Sequence, residues 1–242
     1  MIGELVSIPG GTVRLRDARR GTERDVLTMS FNIGIVPVTV TELSTGQLGA
    51  VAADGVELPA TCVRWLDAVT WCNTASAADG LRPAYWIDGN EVHWDRAADG
   101  YRLPIEAEWV RASMGGGIGA RYGELPEIAW TAEDGTDGPQ PVARKTANDY
   151  GLFDTLGNVW EWCWDRLDPA RYADYRVLKG GGWADPEWSC RVGVRRGSAP
   201  NAVIDDVGFR VARGAVATSA DADGGPGALG RERVPISPLS AE

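Results

Sequence analysis

Apolar and polar positions follow two periods along the chain. Residues 5–8 form a short apolar run stopped by Pro9-Gly10-Gly11. Residues 12–15 alternate polar with apolar side chains, the period of a half-buried strand. Residues 30–40 are a further β-rich run, broken by Pro37, which suits an edge or a bend. The period then changes. Val63, Leu66, Val69, Thr70 and Asn73 recur at helical spacing, with Trp65, Ala68 and Cys72 in a neighbouring stripe. This predicts an amphipathic helix over 63–79, ending near Gly80. Residues 85–87 and 91–94 flank Asp88-Gly89-Asn90, the mark of a hairpin. Pro104 opens a second helix over 105–114, which Gly115-Gly116-Gly117 stops.

From 118 to 213 the helical period disappears. Gly and Asp punctuate short segments that carry Trp160, Trp162, Trp164, Trp183, Trp188 and Phe209. Such a region must be held by packing and turn chemistry. Beyond Arg213 the chain lacks aromatics and is rich in Gly, Ala, Ser and Pro, so 214–242 is expected to be a flexible extension of a 1–213 domain.

Composition narrows the function. The net charge is 24 − 34 = −10. That disfavours nucleic acid and anionic membrane surfaces, which both call for a basic face. No apolar run reaches the roughly 18 residues that a membrane span needs. The first residues, MIGELVSIPGG, lack the basic and apolar regions of a signal peptide, so a cytoplasmic location is expected. The cysteines, at 62, 72, 163 and 190, are too few and too scattered for a disulfide framework. His93 is the only histidine, which excludes two-His iron and three-His zinc sites within one chain.

Five segments share one pattern. They are Val63-Arg64-Trp65-Leu66-Asp67-Ala68 with Trp71-Cys72-Asn73; residues 100–109, GYRLPIEAEW; residues 148–162, NDYGLFDTLGNVWEW; Leu178-Lys179-Gly180-Gly181-Gly182-Trp183; and Gly208-Phe209-Arg210-Val211-Ala212. Together they resemble the formylglycine-generating enzyme, or sulfatase-modifying factor, family. The resemblance implies an α+β fold, a variant of the C-type-lectin-like fold, with two main helices, small antiparallel sheets and much irregular chain. Within these segments Arg102, Glu106 and Glu108 bracket a helix start, where acids favour the positive end and Arg102 can bond a carboxylate.

The resemblance also implies chemistry, and this chain departs from it. Enzymes of the family oxidise a substrate cysteine with copper held by two thiolates, soft ligands that select Cu(I). The second thiolate position falls on Cys190. The first falls on Asp185, a hard oxygen ligand, and a usual serine is replaced by Gly182. Copper is therefore not expected, unless Cys163 stands in. Asp154, Gly157, Val159 and Glu161 match a loop in which the family carries structural calcium; carboxylates and loop carbonyls are oxygen donors of the kind Ca²⁺ takes. Residues 131–139 do not match the family's other calcium site.

Residues 183–196 are the expected ligand region. Asp185, Glu187 and Cys190 are its candidate acid, base and thiol groups. Trp183, Trp188, Arg191 and Arg195 are its candidate contacts to a small-molecule or peptide substrate. Three functions follow. An oxidative tailoring enzyme predicts a closed pocket with Asp185 or Glu187 turned inward. A lectin-like binding module predicts a shallow surface with both carboxylates in solvent. A formylglycine-generating oxidase using Cys163 and Cys190 predicts that their sulfurs meet. The oligomeric state is left open.

Overall fold

A computed structural model describes residues 3–89 and 91–216. The elements in chain order are β1 (Leu5–Ile8), β2 (Gly11–Asp17), β3 (Thr22–Thr28), β4 (Phe31–Gly34), α1 (Val40–Thr45), α2 (Trp65–Ala78), β5 (Tyr85–Asp88), β6 (Glu91–Trp94), α3 (Glu106–Ser113), α4 (Leu125–Ile128), β7 (Trp160–Arg166), α5 (Pro169–Tyr172), β8 (Arg176–Lys179), β9 (Arg196–Ser198), β10 (Val207–Phe209) and β11 (Ala212–Arg213). The two expected helices are α2 and α3, and the β5–β6 hairpin pairs Tyr85 with Trp94. From 118 to 213 the only α-helices are the four-residue turns α4 and α5.

Three features differ from the sequence expectation. The strand expected over 30–40 stops at Gly34, and the capping box of Thr39 and Glu42 starts α1 instead. The alternation at 12–15 belongs to a longer hairpin, β2 with β3. The largest sheet, ordered β10-β7-β8-β9, is not wholly antiparallel: β10 runs parallel to β7. The three-stranded sheet, β1-β4-β11, ties the start of the described chain to its end.

The core gathers α2, α3 and β7. On β7 the side chains Trp160, Trp162, Cys163 and Trp164 are all buried, so this strand lies inside the fold rather than on its face. Trp164 packs against Trp65, Tyr85 and Trp94, with ring centroids 5.1–5.2 Å apart. The buried indoles find acceptors: Trp65 donates to the Cys163 carbonyl and Trp162 to the Val63 carbonyl. These two bonds lock α2 onto β7. The Arg102 guanidinium makes two 2.7 Å bonds to Glu108, and both side chains are buried. It also donates to the Gly214 carbonyl, so the first residues of the expected tail are held by the domain. Most of that tail, 217–242, lies outside the described residues. No helix among the described residues is long and apolar enough to cross a membrane.

Candidate functional site

Strand β8 delivers Lys179 and then three glycines. Gly180 and Gly181 take φ of 104° and 87°, in the region that favours glycine. A Cβ on Gly181 would sit 2.7 Å from the Cys190 sulfur. The glycine is required because Cys190 packs directly on its bare face. Asp185 closes the following turn. Its backbone N–H donates to the Gly182 carbonyl at 3.1 Å, and its Oδ2 accepts from Gly182 N–H at 2.9 Å and from the Trp160 indole. Asp185 is thus turned inward, where it anchors the loop.

The two candidate thiols lie in different surroundings. Cys190 is fully buried, and burial, reinforced by Asp185, pushes its thiol up to about 12. Cys163, on β7, is raised as well, by burial and then by Asp165 and Glu106. Both are free thiols in environments that oppose the thiolate. Cys72 is buried in α2 and Cys62 is exposed.

The rest of the segment divides in two. Glu187, Arg191 and Trp188 are exposed, Trp188 at 61%. Trp183 is half-buried. Arg195 is engaged elsewhere: it bonds Glu106 at 2.9 Å and approaches Asp17 at 3.4 Å, joining the β2–β3 turn to the start of α3. Glu187 borders a hollow of about 90 Å³ shared with Leu125, Pro126, Thr131 and Asp134. Organic ligands usually occupy about 300–1,000 Å³. A wider cleft of about 390 Å³ lies between α1 and α2, and none of its lining residues comes from 183–196.

Sequence reasoning missed two residues here: Trp160 holds Asp185, and Asp206 leans against Gly182. Arg196, at the end of the expected segment, lies 5.6 Å over the Trp160 ring. Trp160 stood in a recognised motif, but nothing in the pattern near Asp206 pointed to this loop.

The expected calcium loop is strongly structured. Asp154 takes a left-handed φ of 53° and is buried. Its Oδ2 accepts from Ala143 N–H at 2.8 Å, whereas its Oδ1 has no partner among the described residues. Burial raises its carboxyl to about 6. An orphaned, buried carboxylate oxygen fits an oxygen-ligated cation. Glu161 is already served: Arg210 bonds both its oxygens and Trp109 donates to one at 2.7 Å. Among the described residues no three His, Cys, Asp or Glu side chains gather as a metal group, so a cation here would depend on carbonyls such as those of Gly157 and Val159. In the segment that did not match the second calcium site, Ala132–Asp134 is a 3₁₀ turn, and Asp134 pairs with Lys145 at 2.9 Å.

Residues 1–215 match the model of the sulfatase-modifying factor enzyme 1-like domain. The chain belongs to that family. It is 32% identical to the mouse protein named inactive C-alpha-formylglycine-generating enzyme 2, covering 87% of this chain and 86% of that one. It is 27% identical to the chaperone protein LppX of Paenibacillus barcinonensis, over 87% and 89% of the two chains. Among solved structures, variable protein 1 of Treponema denticola superposes with a TM-score of 0.76 at 26% identity, covering 88% of this chain and 97% of that one.

Proposed function

We propose that this chain is a binding module of the family rather than a copper-dependent cysteine oxidase, and that it recognises its ligand through residues 183–196. One observation carries the reading. Cys190 is a buried thiol raised to about 12, and its expected partner position holds Asp185, locked by Gly182 and Trp160. Two thiolates for copper are not assembled there. The exposed Trp188, beside Glu187 and Arg191, is an anchor of the type enriched at recognition surfaces. That a close homologue is named inactive accords with this reading. A calcium ion held by Asp154 with Gly157, Val159 and Glu161 would brace the loop that leads into β7. Its part in the proposal is structural.

Oxidative tailoring of a small molecule or peptide is the second reading. It is favoured by Asp185 facing inward, but its neighbours give that carboxylate a structural task.

A displayed random-peptide library tests the first reading. Wild-type protein should enrich a sequence family that Trp188→Ala and Glu187→Ala proteins fail to retain. Equal enrichment by all three would remove the segment as a recognition surface. Cu(I) titration of the reduced protein should match a Cys163→Ser/Cys190→Ser control. Tight one-to-one binding lost in that control would restore the oxidase.

A further inference from the structure

The turn at Gly182 brings together two carboxylates that the sequence places 21 positions apart. Asp185 Oδ2 is satisfied by two donors. Asp206 is not. Its side chain is more than nine-tenths buried, and its Oδ1 has no hydrogen-bond partner among the described residues. Its Oδ2 leans over the bare face of Gly182, where a Cβ would meet it at 2.7 Å. No cation lies within ion-pair distance of Asp206 among the described residues. Burial raises the Asp206 carboxyl, and the neighbouring Asp185 and Asp205 add to the effect, while Arg196 opposes it. Arg196 itself is exposed and rests over the Trp160 ring.

A buried carboxylate oxygen without a donor is destabilising, more so when charged. Glycine at 182 leaves the room that Asp206 occupies; a serine side chain there would collide with it. The site therefore combines two neighbouring carboxyl groups, one unfilled acceptor and an aromatic ring. Its complement is a group with positive charge and N–H donors.

We infer that Asp206, with Asp185 and Trp160 around Gly182, forms a subsite for a primary ammonium group of the ligand. This rests on the reading of residues 183–196 as a recognition surface and names the chemistry recognised there. The ammonium would donate to Asp206 Oδ1 and replace Arg196 as the cation facing Trp160. A neutral alcohol lacks the charge, a quaternary ammonium lacks the donors, and a calcium ion needs more oxygen ligands than two carboxylates supply.

The test follows the indole N–H resonances of Trp160 and Trp183 in the full chain during titration with n-butylammonium. n-Butanol, tetramethylammonium and calcium chloride serve as comparison arms. Saturable shifts with n-butylammonium, and smaller or no shifts in the three other arms, are expected. Asp206→Asn keeps the shape and removes the charge, and should weaken binding by about tenfold or more, as expected for a lost bond to a charged group. If Asp206→Asn does not fold, the wild-type arms decide by themselves. Equal response to n-butanol or tetramethylammonium, a stronger response to calcium, or unchanged affinity in Asp206→Asn would each overturn the subsite. The library result separates the two proposals. Peptides retained through Trp188 but not displaced by n-butylammonium leave the module standing without the subsite. Shifts with n-butylammonium and no enriched peptides leave the subsite without the module.

Discussion

Arg210 donates to both carboxylate oxygens of Glu161, at 2.8–3.2 Å, and neither side chain is exposed. Two further N–H groups of Arg210 reach the carbonyls of Gly34 and Phe153, at 2.7 and 2.8 Å. One guanidinium thus joins β4, the calcium-like loop and β7. Full bonding of both partners is what makes an ion pair tolerable in the interior.

Removing one partner should be severe. Arg210→Met leaves Glu161 charged and uncompensated, at an expected cost of about 3–5 kcal/mol. Glu161→Gln/Arg210→Met should recover part of that loss, because Gln carries no charge and still accepts from the Trp109 indole. Urea unfolding midpoints report both changes. If the double variant is no more stable than Arg210→Met, charge burial is not the cause.

Asp165 gives stability a pH dependence. It is buried against the start of α3, accepting from Glu106 N–H at 2.6 Å. Burial, with Glu106 next in weight, raises its carboxyl to about 7 from 3.8. A carboxyl raised in the folded state binds its proton more tightly there than in the unfolded chain. Its contribution is full below about 4 and is lost as pH rises through about 7. Asp165→Asn keeps an acceptor for Glu106 and removes the titration. The melting temperature of wild type relative to Asp165→Asn should therefore fall between pH 4 and 7. A constant difference across that range would contradict the assignment.

The orphaned Oδ1 of Asp154 predicts a response to calcium. If the ion is held in the folded chain only, calcium at a hundred times its Kd adds about 2.7 kcal/mol, and a chelator removes it. Asp154→Asn should abolish most of this effect. Thermal melts with calcium and with chelator measure it, and identical melts for wild type would count against a bound ion.

Legibility in the sequence followed the reach of each interaction. Arg102 and Glu108 are six residues apart at a helix start, so their pairing could be anticipated from local pattern. Arg210 and Glu161 lie 49 residues apart, and each stood in a recognised motif without any sign that they meet. Arg195 was expected to face a ligand, but folding of the β2–β3 hairpin brings Asp17 to it, while α3 supplies Glu106.

The sequence by itself determined the elements whose period is local: α2, α3 and the β5–β6 hairpin. Its ordered motifs also determined the family, because glycines and tryptophans at fixed spacing demand particular turns and burial. Tertiary structure alone decided the parallel pairing of β10 with β7, the inward turn of Asp185 and the meeting of Asp185 with Asp206. Local spacing fixes backbone shape over a few residues. The partner of a buried charge is fixed by which distant strand packs beside it.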